Sequence, residues 1–104
     1  MAENQNLKIY ISGPITNNPD YKKQFTDKYY ELQGKYTVIH PLMINAELEW
    51  RDYMHIDLSM IKICDCIYML DGWENSRGAR IEHCFAKMMG LKVIYENGDN
   101  NGSL

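Results

Sequence analysis

Apolar and polar positions along this chain change period several times, and each change marks an element. "LKIYIS" (7–12) is apolar, β-branched or aromatic and runs into Gly13-Pro14, the pattern of a buried strand ending in a turn. In 17–35, Tyr21, Phe25, Tyr29 and Leu32 recur at helical spacing; Asn18 is placed to cap, Pro19 to open and Gly34 to close that helix. "YTVIH" (36–40) is a second short strand, stopped by Pro41, and 42–49 fits either a loop or a short helical turn. "WRDYMHIDLSMIKIC" (50–64) is helical by period, and "DCIYML" (65–70) is a third strand. A Gly/Asn/Ser turn follows, then a helix with Ile81, Cys84, Phe85 and Met88 on one stripe, closed by Gly90, and a fourth strand, "LKVIYE" (91–96). Strands apolar on both faces, alternating with helices, predict an α/β domain with a parallel sheet covered on both sides. Right-handed crossovers favour the order 2-1-3-4. The pattern predicts one domain over 1–96 and a frayed polar tail over 97–104.

Composition narrows the function classes. The chain has 104 residues, 45% of them hydrophobic, which suffices for one small core that a second copy would help to bury. A net charge of −3 with interspersed signs lacks the basic footprint of a nucleic-acid binder. No apolar run reaches the length of about 18 residues that a membrane span needs. The polar "MAENQN" start lacks the apolar segment of a signal peptide, so a cytoplasmic protein with three reduced cysteines is expected.

In a parallel sheet of this order, ligands bind beyond the carboxyl ends of the strands, where the order reverses. That points to Tyr10–Thr16 after the first strand and Asp71–Gly78 after the third. "YISGPIT" gives a tight turn that brings backbone close to a ligand, although Gly and Pro also punctuate ordinary loops. Asp57 shares its helical face with Tyr53, Met54 and Ile61, in the middle of an apolar stripe. An unpaired carboxylate there costs several kcal/mol, roughly, so it has a partner, structural or functional. Ser76 sits where it caps the third helix, whose N-terminus favours an anion such as phosphate. Glu82 lies one turn after Gly78 and leans toward the space that glycine leaves empty. Two carboxylates flanking one crevice suit displacement at an anomeric carbon.

The residues "KIYISGPIT", "YMHIDLSMIKICDCIYMLDGW" and "SRGARIEHCFAKMMGLKVIY" resemble the nucleoside 2-deoxyribosyltransferase-like superfamily, and more closely its small DUF4406-type branch, common in phage and bacterial genomes. The resemblance implies a flavodoxin-like three-layer sandwich, a homodimer or higher homo-oligomer, a small-molecule nucleotide as ligand and no cofactor or metal. It places Glu82 as the nucleophile on C1′, Asp57 as the aspartate assisting proton transfer to the base, and Tyr10 as a residue holding the nucleophile. It implies substrate contacts from Ser12, Gly13, Pro14, Ile15, Asp71, Trp73, Ser76, Gly78 and Ala79. A serine six residues before the glutamate is the form similar to nucleoside 5′-monophosphate hydrolases; an aspartate is usual in the transferases. Arg77 and Arg80 depart from the pattern: they add phosphate contacts or block a nucleoside. "NGDNNGSL" does not match the segment that crosses subunits in the transferases.

The expectation is therefore a nucleotide-binding protein that hydrolyses the N-glycosidic bond of (deoxy)nucleoside 5′-monophosphates; the alternative is a module that binds a nucleotide or nucleotide signal without turnover. Cys64, Cys66, His83 and Cys84 read as buried cysteines beside a histidine, not as a zinc site. Trp73 is placed either to stack on a base or to serve an interface or lid, and His40 reads as a turn residue.

Overall fold

A computed structural model describes residues 6–98. Four strands, β1 (Leu7–Ser12), β2 (Tyr36–Ile39), β3 (Cys66–Met69) and β4 (Lys92–Tyr95), form one parallel sheet in the order 2-1-3-4. Three helices connect them: α1 (Tyr21–Leu32), α2 (Trp50–Lys62) and α3 (Arg77–Met88). Ile9 pairs with Val38 of β2 and Cys66 of β3, and Tyr68 of β3 pairs with Ile94 of β4. The expected α/β architecture and strand order are both present.

The period-2 geometry of β1 divides the core into two halves. Ile9 and Ile11 point to the side covered by α1, where Phe25, Leu32, Val38 and Leu70 close an apolar cluster. Tyr10 points to the other side, covered by α2 and α3, where Ile61, Ile67, Met69, Ala79 and Ala86 pack. The Tyr21, Phe25, Tyr29 and Leu32 face of α1 meets the first cluster as its spacing predicts.

Two local expectations are corrected, and one left open is settled. Helix α1 begins at Tyr21, not near Asn18. Asn18 instead braces the loop, its amide donating to Pro14 O at 2.8 Å and to Gln24 Oε1 at 2.9 Å. The 42–49 segment resolves into a 3₁₀ turn over Pro41–Met43 followed by irregular chain. In α3 the buried positions are Ala79, Glu82 and Ala86, whereas Ile81 and Met88 are exposed. Of the predicted stripe, half-buried Phe85 packs against the core, and the outer part faces away. Cys84 goes with it and is exposed; Cys64 and Cys66 are buried, and all three are free thiols. The expected tail falls mostly outside the described residues; within them, Gly98 N–H donates to Tyr95 O in a turn after β4.

Candidate active site

The site begins at the end of β1. The inward-facing Tyr10 and Ser12 are both fully buried and both carry hydroxyls. Each donates to the same carboxylate on α3: Ser12 Oγ to Glu82 Oε1 at 2.6 Å, and Tyr10 Oη to Glu82 Oε2 at 3.2 Å. Glu82 is 4% exposed. Its position follows from α3, which Ser76 caps by accepting from Ala79 N–H at 3.2 Å. The turn before it depends on Gly72, whose φ of 87° is left-handed and suits glycine.

Asp57 approaches from α2, flanked on its buried face by Met54 and Ile61, and is 5% exposed. Its Oδ1 is buried and has no hydrogen-bond partner among the described residues. Burial and the adjoining Asp57 carboxyl raise Glu82 well above the ordinary glutamate range, against the pull of the Ser12 and Tyr10 hydroxyls. Burial also raises Asp57, opposed by Glu82 and Tyr10. Two buried carboxyls on one cavity wall cannot both ionise cheaply, so a proton stays with the pair. Burial and the two acids raise Tyr10 well above the usual phenol range, so it stays a neutral donor.

Both acids line one cavity of about 1090 Å³ at the carboxyl end of the sheet. Of the residues picked from the sequence, Gly13, Ile15, Ser76, Gly78 and Ala79 line it with Asp57 and Glu82. Gly13 is required by close packing, since a Cβ there would lie 2.8 Å from Leu70 side-chain atoms. Tyr10 and Ser12 stand behind the wall, reaching the cavity through Glu82. Three others lie elsewhere. Pro14 packs toward Gly72, and Asp71 is exposed, its N–H donating to Glu96 Oε1 at 2.8 Å. Trp73 stacks on His83 at 4.2 Å between ring centroids and lies 6.0 Å from Tyr95, because the left-handed turn at Gly72 swings the chain toward β4.

The tryptophan on the cavity is Trp50, joined by Tyr53 and Met54 of α2 and by Lys22 at the start of α1. Trp50, Tyr53, Met54 and Asp57 follow the i, i+3, i+4, i+7 rule, a signal that would have found all four together. Arg80 donates to Glu74 O at 3.0 Å, whereas Arg77 lies over Trp50. Among the described residues no group of three or more His, Cys, Asp or Glu side chains could hold a metal, and no helix is long and apolar enough to cross a membrane.

A parallel α/β sheet with a paired-carboxylate crevice above its strand-order reversal defines the class. The chain belongs to the DUF4406 family, a domain of unknown function whose pattern matches residues 7–95. No protein of curated function matches the sequence. Among solved structures, the fold is similar to the 2-desoxiribosyltransferase from Leishmania mexicana, with TM-score 0.68 and 22% identity over 86% of this chain. It is also similar to the CMP N-glycosidase BcmB of Clostridium botulinum, with TM-score 0.64 and 20% identity over 93% of this chain. The aligned region spans 63% of the first protein and 87% of the second.

Proposed function

We propose that this protein binds a nucleoside or deoxynucleoside 5′-monophosphate in the cavity and hydrolyses its N-glycosidic bond. The observation that carries the reading is the unequal pair of carboxyls: Glu82 gripped by two hydroxyls, Asp57 with an oxygen left without a partner. A Glu82 oxygen attacks C1′ while the C1′–N bond breaks and its electron pair leaves with the base. The shared proton, carried by Asp57 in the reactive state, passes to the base. Water then attacks C1′ of the glycosyl ester, gives its proton to Asp57 and releases Glu82. Tyr10 and Ser12 orient the nucleophile and stabilise its charge as it re-forms. The N-terminal turn of α3, with Ser76, Gly78 and Ala79, faces the phosphate. The fold shared with a deoxyribosyltransferase and a CMP N-glycosidase supports the same class of chemistry.

The experiment is incubation with a panel of ribo- and deoxyribonucleoside 5′-monophosphates, with chromatography for free base and thermal shift in parallel. Base release with at least one monophosphate is expected. A shift without base from any of them means binding without turnover, and neither signal ends the nucleotide reading. We infer as well that the protein works as a homodimer or larger assembly, in which a second copy covers the outward stripe of α3, where Met88 is 75% exposed. Sedimentation equilibrium showing only monomer would discard that.

A further inference from the structure

Arg77 opens α3 at the cavity wall, and its guanidinium carbon lies 4.4 Å from the centroid of the Trp50 ring. Both residues line the cavity. The platform is held from two sides. Tyr53, one turn along α2, ties down the preceding loop by donating to Ala46 O and accepting from Leu48 N–H at 3.1 Å. On the other side the first turn of α3 lies against it at Gly78, where a Cβ would make ordinary contacts of 3.4 Å with Met54 Sδ and 3.8 Å with Trp50 Nε1.

A guanidinium held over an indole keeps its N–H edge free for planar hydrogen bonds. Arg80 spends an N–H on a backbone carbonyl, but among the described residues no acceptor takes the Arg77 edge. Lys22 adds a second cation to the lining. The cavity is thus polarised, with buried acids at Glu82 and Asp57 and cations elsewhere on its wall. Arg77 and Glu82 are five residues apart, a rise of about 7.5 Å along the helix. The unpartnered, buried Asp57 Oδ1 independently marks the same cavity as one that awaits a ligand.

We propose that Arg77, positioned by Trp50, is the specificity-determining residue that selects a 5′-phosphorylated ligand over the bare nucleoside. The inference rests on the nucleotide reading of this site and adds the group that sets the preference. Two N–H groups of the fork meet two phosphate oxygens, and the α3 N-terminus supports the same anion. Trp50 is a positioning residue, reducing the freedom that Arg77 loses on binding.

Titration calorimetry on the parent, Arg77→Gln, Arg77→Lys, Trp50→Leu and Trp50→Phe tests this. The ligands are each common deoxynucleoside 5′-monophosphate and its nucleoside. Arg77→Gln is expected to lose about 10- to 100-fold in monophosphate affinity, the range of a charge-assisted hydrogen bond, and to hold nucleoside affinity at the parent value. Arg77→Lys recovers part of the loss. Trp50→Leu loses about three- to tenfold in the same ratio, and Trp50→Phe restores it. Nucleoside affinity checks folding in each variant. If Arg77→Gln keeps the parent's ratio of monophosphate to nucleoside affinity, the assignment of Arg77 is overturned while base release by the parent still stands. A parent that binds neither ligand overturns both.

Discussion

The two faces of the sheet bury charge in opposite ways. On the α1 face the buried ionic group is Lys28, 8% exposed, and it is saturated. Its ammonium lies 2.8 Å from Glu31, 3.7 Å from Glu96 and 4.9 Å from the centroid of the Tyr68 ring. Burial works against that charge, but Glu31 and Tyr68 outweigh it and push Lys28 up to about 12. On the α2–α3 face the buried groups are two acids with no cation bonded to them, and one oxygen is left over. The Lys28 charge is completed by its own fold, whereas Asp57 keeps a buried oxygen that no group of the described residues completes, the contrast on which the proposed chemistry rests.

That contrast can be broken by substitution. The largest expected effect is at Glu82: Glu82→Gln should cut base release by about 10⁴-fold or more while the protein stays folded, checked by steady-state chromatography and circular dichroism. Parent-like turnover would remove Glu82 from the reaction. Asp57→Asn keeps the shape but not the proton, and a loss of about 10²- to 10³-fold is expected, smallest for bases that leave without protonation. On the saturated face, Phe25→Ala opens a hole in a fully buried position and should cost about 3–5 kcal/mol in denaturant melts. Lys28→Met, which exchanges one satisfied group for an apolar one, should change stability by only about 1 kcal/mol and leave base release intact.

The acidic face also carries a pH signature. Because Glu82 is raised in the folded state, the native protein keeps a proton that the unfolded chain releases above the ordinary glutamate range. Stability then falls as pH climbs from that range toward the raised value. Glu82→Gln removes the effect, so its melting temperature should exceed the parent's at neutral pH, with the gap closing below about pH 4. A gap that is constant across pH would show that Glu82 is not raised in the folded state.

Helix positions were legible in the chain because burial on one face imposes a period, and strand order because right-handed crossovers leave few arrangements of a parallel sheet. Asp57 was legible for the same reason, as a carboxylate out of place on an apolar stripe. The α3 stripe misled. Ile81, Cys84 and Met88 have the hydrophobicity of a core face, yet all three are exposed, and α3 meets the core through Ala79, Glu82 and Ala86, with Phe85 half-buried beside them. Trp73 misled through sequence position: it follows β3 directly, but a left-handed Gly72 turns it toward His83.

By itself the sequence determined the layered α/β plan, the end of the sheet where the cavity opens, and the acids Asp57 and Glu82 as candidates on it. These depend on periodicity and on the cost of burying charge, which are local properties of the chain. Only the tertiary structure decided that Ser12 joins Tyr10 in gripping Glu82 from β1, 70 and 72 residues away. It alone turned Trp73 away from the cavity and left one oxygen of Asp57 without a partner. Those are distances and angles between elements brought together by packing, and no pattern within one element encodes them.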